Sequence, residues 1–528
     1  MSNETEPMLD AGDIQGNIIP GFSRAQRYLV AFSCTDKPRL QAALARLRPH
    51  LTTMSEAIGH RDERKRAFLM KVRAPTRSDL WVNLALGVGA TNALGATGVA
   101  DMDDEDGSFA QGMSPGLLGD PFAAVLSNGL PNPAHRSHWR VGSPSSRVDL
   151  LLIFAHDENV VMAAKQIVDD CSRLLASEPV YSEEGHVLSG EIEHFGFRDG
   201  ISQPGVRGRI MQDGVERLIT TRYGVPSRQG IDFGKTGQPL VWPGQFLTGQ
   251  PTSEADRSVL APELTNGSFL VFRRLLQNVK AFYEDTEGMS RELSAATGRP
   301  LSGSDLRAKI VGRYTSGGSL MRHENEPAQP EGPNEINYFE FGTELPALVL
   351  DDGTAVSGSA ADPDVLRGGR CPVWAHTRKV NPRDLGTNRG GPLDTISFQM
   401  LRRGIPFGPA YNHSDPDNPV NQYERGLLFL SYQTKIARQF SILNHDWMNN
   451  RDAPQAGGFD LLVGQNVPDD AGGLYATKTA TFFVSSINAA DTGTGLAAPP
   501  QWIIPTGGAF LFAPSLAFVD KFSAERDT

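Results

Sequence analysis

One histidine stands in a sequence context that could bind a metal. His376 lies in the segment Cys-Pro-Val-Trp-Ala-His-Thr-Arg-Lys-Val-Asn-Pro-Arg, so that Arg378, Lys379 and Arg383 follow closely behind it. An imidazole nitrogen can bind a metal ion, and cations such as Arg378 can hold the carboxylates of an anionic planar cofactor. Two alternatives stay open: a lone histidine is more often a hydrogen-bonded structural residue, and Cys371 could supply a thiolate ligand instead.

A carboxylate and a pair of arginines are the next candidates for chemistry. Asp199 precedes a glycine in a run rich in Gly, Phe and Ile. Since Asp-Gly is a common turn, this aspartate alone has a plain structural explanation. Arg402 and Arg403 follow residues 396–401, an apolar segment that we expect to be a strand. One side of a strand end usually faces solvent, so at least one of the two arginines is expected to be structural.

Composition and motif searches exclude several classes of function. The net charge of −11 and pI of about 5.5 argue against a nucleic-acid partner. No apolar run reaches the roughly 18 residues of a membrane span. The Gly-x-Ser-x-Gly elbow and the glycine-rich phosphate loops are absent from the sequence. Three widely spaced cysteines and no recognisable signal peptide predict a cytoplasmic protein, with secretion as the alternative.

A strand followed by a helix occurs four times along the chain. In the first unit, Leu40, Leu44, Leu47 and Leu51 are spaced as one face of a helix, and Pro38 suits its first turn. The strands are expected at 27–33, 149–155, 268–272 and 426–432. The first helix is expected to begin near Pro38, the third to lie around Val279 and Phe282, and the fourth to run from Ile436 to Leu443. The second is expected to bury the face formed by Ala164, Ile167, Val168, Cys171 and Leu175. The stretch 84–134 is rich in loop-forming residues and is expected to lack regular structure.

Four such units predict an α+β fold of two ferredoxin-like domains, in which helices pack on the faces of antiparallel sheets. We expect the N-terminal domain to span residues 12–245 and the C-terminal domain to span residues 246–520.

Taken together, these segments resemble the dye-decolorizing peroxidases, in particular the larger members of that family. The family's Gly-x-x-Asp-Gly signature is present as Gly-Phe-Arg-Asp-Gly, residues 196–200, and it continues as Ile-Ser-Gln-Pro. The ligand segment around His376 and the segment Arg402-Arg-Gly-Ile-Pro-Phe-Gly fit as well, as do Asp13-Ile-Gln-Gly-Asn-Ile and Arg425-Gly-Leu-Leu-Phe. The resemblance runs from about residue 12 to the end and implies two ferredoxin-like halves with haem held in the C-terminal half.

The resemblance also implies roles for individual residues. His376 would be the iron ligand, and Asp460 would accept a hydrogen bond from its other nitrogen. Asp199 would move the protons of hydrogen peroxide, and Arg402 would stabilise the charge that develops as the O–O bond breaks. The remaining cofactor contacts would be Arg313, Leu427 and Phe429, in addition to Arg378. For Asp460 a solvated carboxylate, and for Leu427 and Phe429 ordinary core packing, stay open as alternatives.

By this resemblance the protein is expected to be a haem-dependent peroxidase that oxidises bulky dyes and phenolic or other aromatic compounds. The resemblance implies haem b, and the spacing Cys-x4-His, in place of Cys-x-x-Cys-His, does not indicate covalent attachment. Trp447, before a polar turn, is the candidate exit for electrons, with plain packing as the alternative. Partners are hydrogen peroxide and aromatic reductants, with no nucleic acid or membrane, and a homodimer is left open. A haem-handling or iron-releasing protein with weak peroxidase activity, or a non-catalytic two-domain binding protein, is the alternative function.

Overall fold

The centre of the fold is one antiparallel sheet whose two ends meet. The computed structural model describes residues 6–72, 79–103, 107–113, 132–256, 260–465, 478–482, 493–498 and 501–523. The strands of the sheet are β1 Gln26–Phe32, β2 Trp81–Leu86, β3 Leu150–His156, β4 Tyr181–His186, β5 Ser268–Gln277, β6 Leu401–Arg402, β7 Ile405–Phe407, β8 Gly426–Gln433 and β9 Ile503–Ala513. Their order is β6-β8-β7-β4-β1-β3-β2-β9-β5, and a further pairing of β5 with β8 closes the sheet into a barrel.

Each half of the chain contributes four neighbouring strands with the same topology. The order β4-β1-β3-β2 in the first half is matched by β9-β5-β8-β7 in the second, so both follow the ferredoxin-like pattern 4-1-3-2. The predicted α+β fold class is confirmed. The domain boundary near residue 245 stays a prediction, since strands of both halves share one sheet.

The two halves meet at short seams. One seam pairs Phe407 of β7 with Gly185 of β4, and the other pairs Phe512 of β9 with Leu86 of β2. A Cβ atom at Gly185 would lie 2.6 Å from the side chain of Ile405. The close approach of β4 and β7 therefore requires a residue without a side chain at this position.

Five helices position the features discussed below: α1 Lys37–Leu47, α2 Val160–Leu175, α3 Val279–Thr297, α4 His376–Val380 and α5 Ala437–Met448, the last with π-type hydrogen bonding. Asp36 caps α1 by accepting a hydrogen bond from the Arg39 backbone N–H at 3.0 Å. Other helices are Met54–Leu69, Val88–Leu94, Gly98–Asp101, Ser108–Gln111, Gly303–Val311, Pro392–Thr395 and Leu516–Ser523. No helix in the described ranges combines the length and apolarity needed to cross a membrane.

Short elements connect this framework. The 3₁₀ turns are Arg48–His50, Arg136–His138, Pro243–Gln245, Pro262–Leu264, Ile396–Phe398 and Pro419–Gln422. The remaining strands, all outside the barrel, are Gly205–Val206, Arg209–Gln212, Val215–Leu218, Leu240–Val241, Leu348–Val349, Ala355–Val356, Lys478–Phe482 and Thr494–Ala498.

The four predicted strand–helix units are confirmed, and two other expectations are wrong. Residues 396–401 form a 3₁₀ turn and only the first residue of β6, because the apolar run is too short and irregular to pair along its length. The supposed loop 84–134 contains the end of β2 and three short helices, while residues 104–106 and 114–131 lie outside the described part of the chain.

Alternating residues separate the inside of the barrel from its outer faces. On β1, Leu29 and Ala31 face the interior, whereas Val30 and Phe32 pack against α1 and α2 outside. The interior is filled by the N-terminal segment, whose Ile14 and Ile18 are fully buried there. The barrel is thus a packed core, and any sizeable site must lie on its outer surface.

Candidate functional site

A deep cavity lies against the outer face of the second half of the sheet. Its floor consists of alternating residues of two adjacent strands, Arg273, Leu275 and Gln277 on β5 and Leu427 and Phe429 on β8. The cavity has a volume of about 290 Å³. Because about 10–15 Å³ suffices for one water molecule, the cavity is sized for a cofactor of tens of atoms.

On one wall, a buried carboxylate orients a histidine. Helix α4 begins at His376, whose Nδ1 lies 2.7 Å from Oδ2 of Asp460. Asp460 is completely buried, and its Oδ1 accepts hydrogen bonds from the backbone N–H groups of Leu462 at 3.0 Å and Val463 at 2.9 Å. With the proton on Nδ1 facing the carboxylate, Nε2 keeps the lone pair that a metal requires.

Another wall of the cavity carries an aspartate and an arginine. Nη1 of Arg402 lies 3.5 Å from Oδ1 of Asp199, and the two side chains are 35% and 47% exposed. Nη2 of Arg402 donates to the carbonyl of Ser202 at 2.6 Å. The Gln203 side chain pairs with the Arg402 backbone, accepting from its N–H at 3.2 Å and donating to its carbonyl at 3.3 Å. The Gly-Phe-Arg-Asp-Gly-Ile-Ser-Gln segment therefore supplies the aspartate and also positions the arginine.

The second arginine of the pair has a different environment. Arg403 is directed into the barrel, where it donates to the carbonyls of Asn17 at 3.2 Å and Ile18 at 2.9 Å. Burial lowers the pKa of Arg403 to about 9. Arg403 holds the N-terminal segment, and Arg402 is the member of the pair that lines the cavity.

Two arginines line one end of the cavity, Arg313 buried and Arg383 partly buried. Arg313 donates to the carbonyls of Gly317 and Ile336, both at 2.9 Å, and to the Asn337 side chain at 3.0 Å. Arg383 donates to the Phe339 carbonyl at 2.7 Å and shares the Asn337 amide oxygen. Burial lowers the pKa of both, that of Arg313 to about 9. Within the described ranges neither forms a carboxylate ion pair, so this end of the cavity has positive charge to offer an anionic group.

Arg378, predicted to contact the cofactor, lies outside the cavity lining. Its fully buried guanidinium donates to the carbonyl of Cys371 at 2.8 Å and to Gln455 at 3.1 and 3.2 Å, and it stacks on Phe341. Arg378 is directed away from the cavity because it lies two residues after His376 on helix α4. Two residues of an α-helix correspond to a rotation of about 200°, so the two side chains lie on opposite sides of the helix.

Its neighbour Lys379 acts on the loop that carries Asp460. The buried ammonium donates to the carbonyls of Ala453 at 2.5 Å and Gly458 at 2.7 Å. Burial lowers the pKa of Lys379 to about 8. Lys379 thereby ties helix α4 to the segment that ends at Asp460.

Trp447 does not reach the protein surface. Its ring is 1% exposed, and its indole N–H donates to Asn388 at 3.0 Å. The ring packs edge-on against Phe398 with centroids 5.4 Å apart, and Phe398 lines the cavity. The polar turn that follows, residues 450–452, is exposed, while the indole itself folds inward.

Sequence reasoning missed a second carboxyl group in the cavity wall. Glu193 accepts hydrogen bonds from the backbone N–H groups of Phe195 and Phe197, both at 2.9 Å, and from the Gln277 amide. Burial raises the pKa of Glu193 to about 7. No local pattern separates this residue from other glutamates, because Gln277 reaches it from strand β5.

Comparisons with known proteins agree over nearly the whole chain. No family model matches the sequence. A dye-decolorizing peroxidase of Mycena epipterygia is 26% identical over 539 residues, covering 99% of this chain and 88% of that protein, and one of Mycetinis scorodonius is 27% identical, covering 97% and 87%. The solved structure of a mutant dye-decolorizing peroxidase from Pleurotus ostreatus is 25% identical with a TM-score of 0.71, and that of an ancestral D-type enzyme is 26% identical with the same score. In both cases the match covers 98% of this chain and 100% of the other. Fold, length and sequence thus point one way, because over nearly its whole length the chain is similar to dye-decolorizing peroxidases.

Proposed function

We propose that this protein is a haem peroxidase that reduces hydrogen peroxide and oxidises bulky dyes and phenolic or other aromatic compounds. The observation that carries the proposal is the pairing of two groups around one cavity. The histidine–carboxylate pair His376–Asp460 can hold a metal, and the Asp199–Arg402 pair can move protons and stabilise negative charge.

The residues present fit non-covalently bound haem b. Nε2 of His376 would bind the iron, while Arg313 and Arg383 would face the propionates, whose negative charge offsets their buried positive charge. The thiol of Cys371 is buried outside the cavity lining, so it takes no part in attaching the cofactor. When bound, haem supplies the iron at which the O–O bond breaks and on which two oxidising equivalents are held.

The chain's own groups would act on the peroxide. Asp199 would accept a proton from one oxygen of hydrogen peroxide and return it to the other oxygen, which leaves as water. Arg402, held by Ser202 and Gln203, stabilises the negative charge that develops on that oxygen. Asp460, fixed by two backbone N–H groups, keeps negative charge next to His376 and makes the imidazole a stronger donor.

Two finer assignments belong to the same proposal. Leu427 and Phe429 would limit the space above the cofactor, since both lie on the cavity floor. Trp447 would carry electrons through Phe398, against which it packs, although a further residue would then have to complete the route to the surface.

The three cysteines are buried free thiols, which are typical of the reducing cytoplasm, and they support a cytoplasmic location. The alternative functions, a haem-handling protein or a non-catalytic binding protein, are not favoured by relatives that are named peroxidases.

The absorption spectrum of the purified protein tests the proposal. We expect a Soret band that shifts on adding hydrogen peroxide, and dye bleaching that depends on peroxide. His376→Ala should abolish haem retention. His445→Ala is the matched control, because His445 also pairs with an aspartate at 2.7 Å but lies outside the cavity lining. Protein that stays colourless after reconstitution with haem would refute the function.

A further inference from the structure

A buried tryptophan behind the cavity wall donates its N–H to a carboxylate. The side chain of Trp502 is fully buried, and its Nε1 donates to Oδ2 of Asp285 at 2.8 Å. Trp502 directly precedes Ile503 of strand β9, and Ile503 lines the cavity. An indole N–H is a donor only, whereas a carboxylate can both accept the hydrogen bond and take up the proton. This pair therefore has a proton acceptor already in place at the ring nitrogen.

Aromatic rings connect the pair to the cavity. Phe282 on helix α3 stands nearly perpendicular to the Trp502 ring, with ring centroids 5.1 Å apart. Phe282 also packs against Phe195, with ring centroids 4.4 Å apart, and Phe195 lines the cavity. Phe282 and Asp285 lie three residues apart on α3, so one face of this helix supplies both the ring and the carboxylate. The indole is thus joined to the cavity by two successive ring contacts.

The charge of Asp285 distinguishes Trp502 from Trp447, the other buried indole near the cavity. Removing one electron from Trp502 changes its pair with Asp285 from one negative charge to neutral. At Trp447, whose N–H donates to the amide oxygen of Asn388 at 3.0 Å, the same step changes a neutral pair to one positive charge. Creating charge in a buried place is unfavourable, and an amide oxygen does not keep a proton. Loss of an electron is therefore favoured at Trp502 over Trp447.

We propose that Trp502 and Asp285 form a relay that stores one oxidising equivalent between peroxide and the aromatic reductant. The relay deepens the proposed function, on which it rests, because hydrogen peroxide supplies the oxidising equivalents at the cofactor. Trp502 gives up one electron toward the cofactor, and its N–H proton passes to Asp285, which leaves a neutral indolyl radical beside a carboxylic acid. The reductant then returns one electron to Trp502, and Asp285 returns the proton to Nε1. The oxidised reductant leaves as a radical, and its own proton goes to solvent.

Electron paramagnetic resonance of the holoprotein, frozen after a stoichiometric addition of hydrogen peroxide without reductant, tests the relay. We expect an organic radical whose signal narrows when the protein is produced with ring-deuterated tryptophan. Trp502→Phe should abolish this tryptophan signal. Asp285→Asn should abolish it as well, because the amide still accepts the indole hydrogen bond but carries no negative charge and takes up no proton. A purely structural role of Asp285 would be preserved in that variant.

Trp81→Phe is the matched control for the relay. Trp81 also donates to an aspartate, Asp79 at 3.0 Å, but it lies outside the cavity lining, so this variant should keep the parent signal. In every variant, the Soret shift checks that the cofactor has reacted with peroxide.

A tryptophan signal of parent intensity in Trp502→Phe or in Asp285→Asn would overturn the relay. If Trp502→Phe fails to fold, Asp285→Asn decides the question, since it changes the charge and not the size of the side chain. A protein that binds haem and shifts its Soret band with peroxide but forms no tryptophan radical would refute the relay alone. A protein that takes up no haem would refute the proposed function and the relay with it.

Discussion

The two titratable pairs of the cavity differ in how firmly the protein holds them. Asp460 is fully buried, with a 2.7 Å contact to His376 and two backbone donors, and Lys379 ties its loop to helix α4. Asp199 and Arg402 are 3.5 Å apart and more than a third exposed. The first pair is preorganised to keep one geometry. The second is partly exposed and loosely paired, so a small molecule can reach both groups and exchange protons with them.

The largest effect is expected from removing the carboxylate of the Asp199–Arg402 pair. Asp199→Asn should lower kcat/KM for hydrogen peroxide by about 10²–10⁴, the usual range for a lost acid–base group. The melting temperature should stay close to that of the parent, since the side chain is half exposed. Asp213→Asn is the control, because Asp213 also precedes a glycine in a turn but lies outside the cavity lining. Undiminished reaction with peroxide would assign the catalysis to Arg402 instead.

Breaking the buried pair should affect cofactor retention. Asp460→Ala leaves the Nδ1–H of His376 and two backbone N–H groups without their acceptor. We expect haem to bind about 10–100-fold more weakly and unfolding free energy to fall by about 1–3 kcal/mol. Transfer of haem to a scavenging apoprotein and thermal melts measure the two effects. Asp446→Ala, which breaks the exposed pair with His445, should leave haem retention unchanged; an equal loss there would contradict a special role for Asp460.

The difference between the pairs also explains what sequence could and could not predict. The strand–helix units follow local periodicity, so their positions were predictable from the residues. His376 and Asp460 are 84 residues apart, and only the resemblance to a family connected them. Arg378 lies outside the cavity lining because the short helix α4 turns it away from the side of His376, and the sequence pattern did not predict that helix. Glu193 and Gln277 come together through the barrel, which no local pattern reveals.

A smaller, pH-dependent effect is expected at Glu193. Burial raises the pKa of Glu193 from 4.5 to about 7, so the folded protein keeps a proton that the unfolded chain releases. The contribution of Glu193 to the free energy of unfolding is therefore fully present below about pH 4.5, and it is lost as the pH rises to about 7. Glu193→Gln, which resembles the protonated form, should gain about 1–3 kcal/mol relative to the parent across that window. Melts from pH 4 to pH 8 test this; a constant difference between the two proteins would contradict it.

The smallest effect is expected for the energy by which the Asp199–Arg402 ion pair stabilises the folded protein. An ion pair at 3.5 Å with both side chains partly exposed contributes about 0–1 kcal/mol, and salt screens it further. A double-mutant cycle with Asp199→Asn and Arg402→Gln, measured by urea unfolding, should give a coupling energy within that range that shrinks at high ionic strength. A coupling of several kcal/mol would mean that the pair is held as firmly as His376 and Asp460. The open geometry would then have to be reached by a movement of the Gly-Phe-Arg-Asp-Gly segment before peroxide could enter.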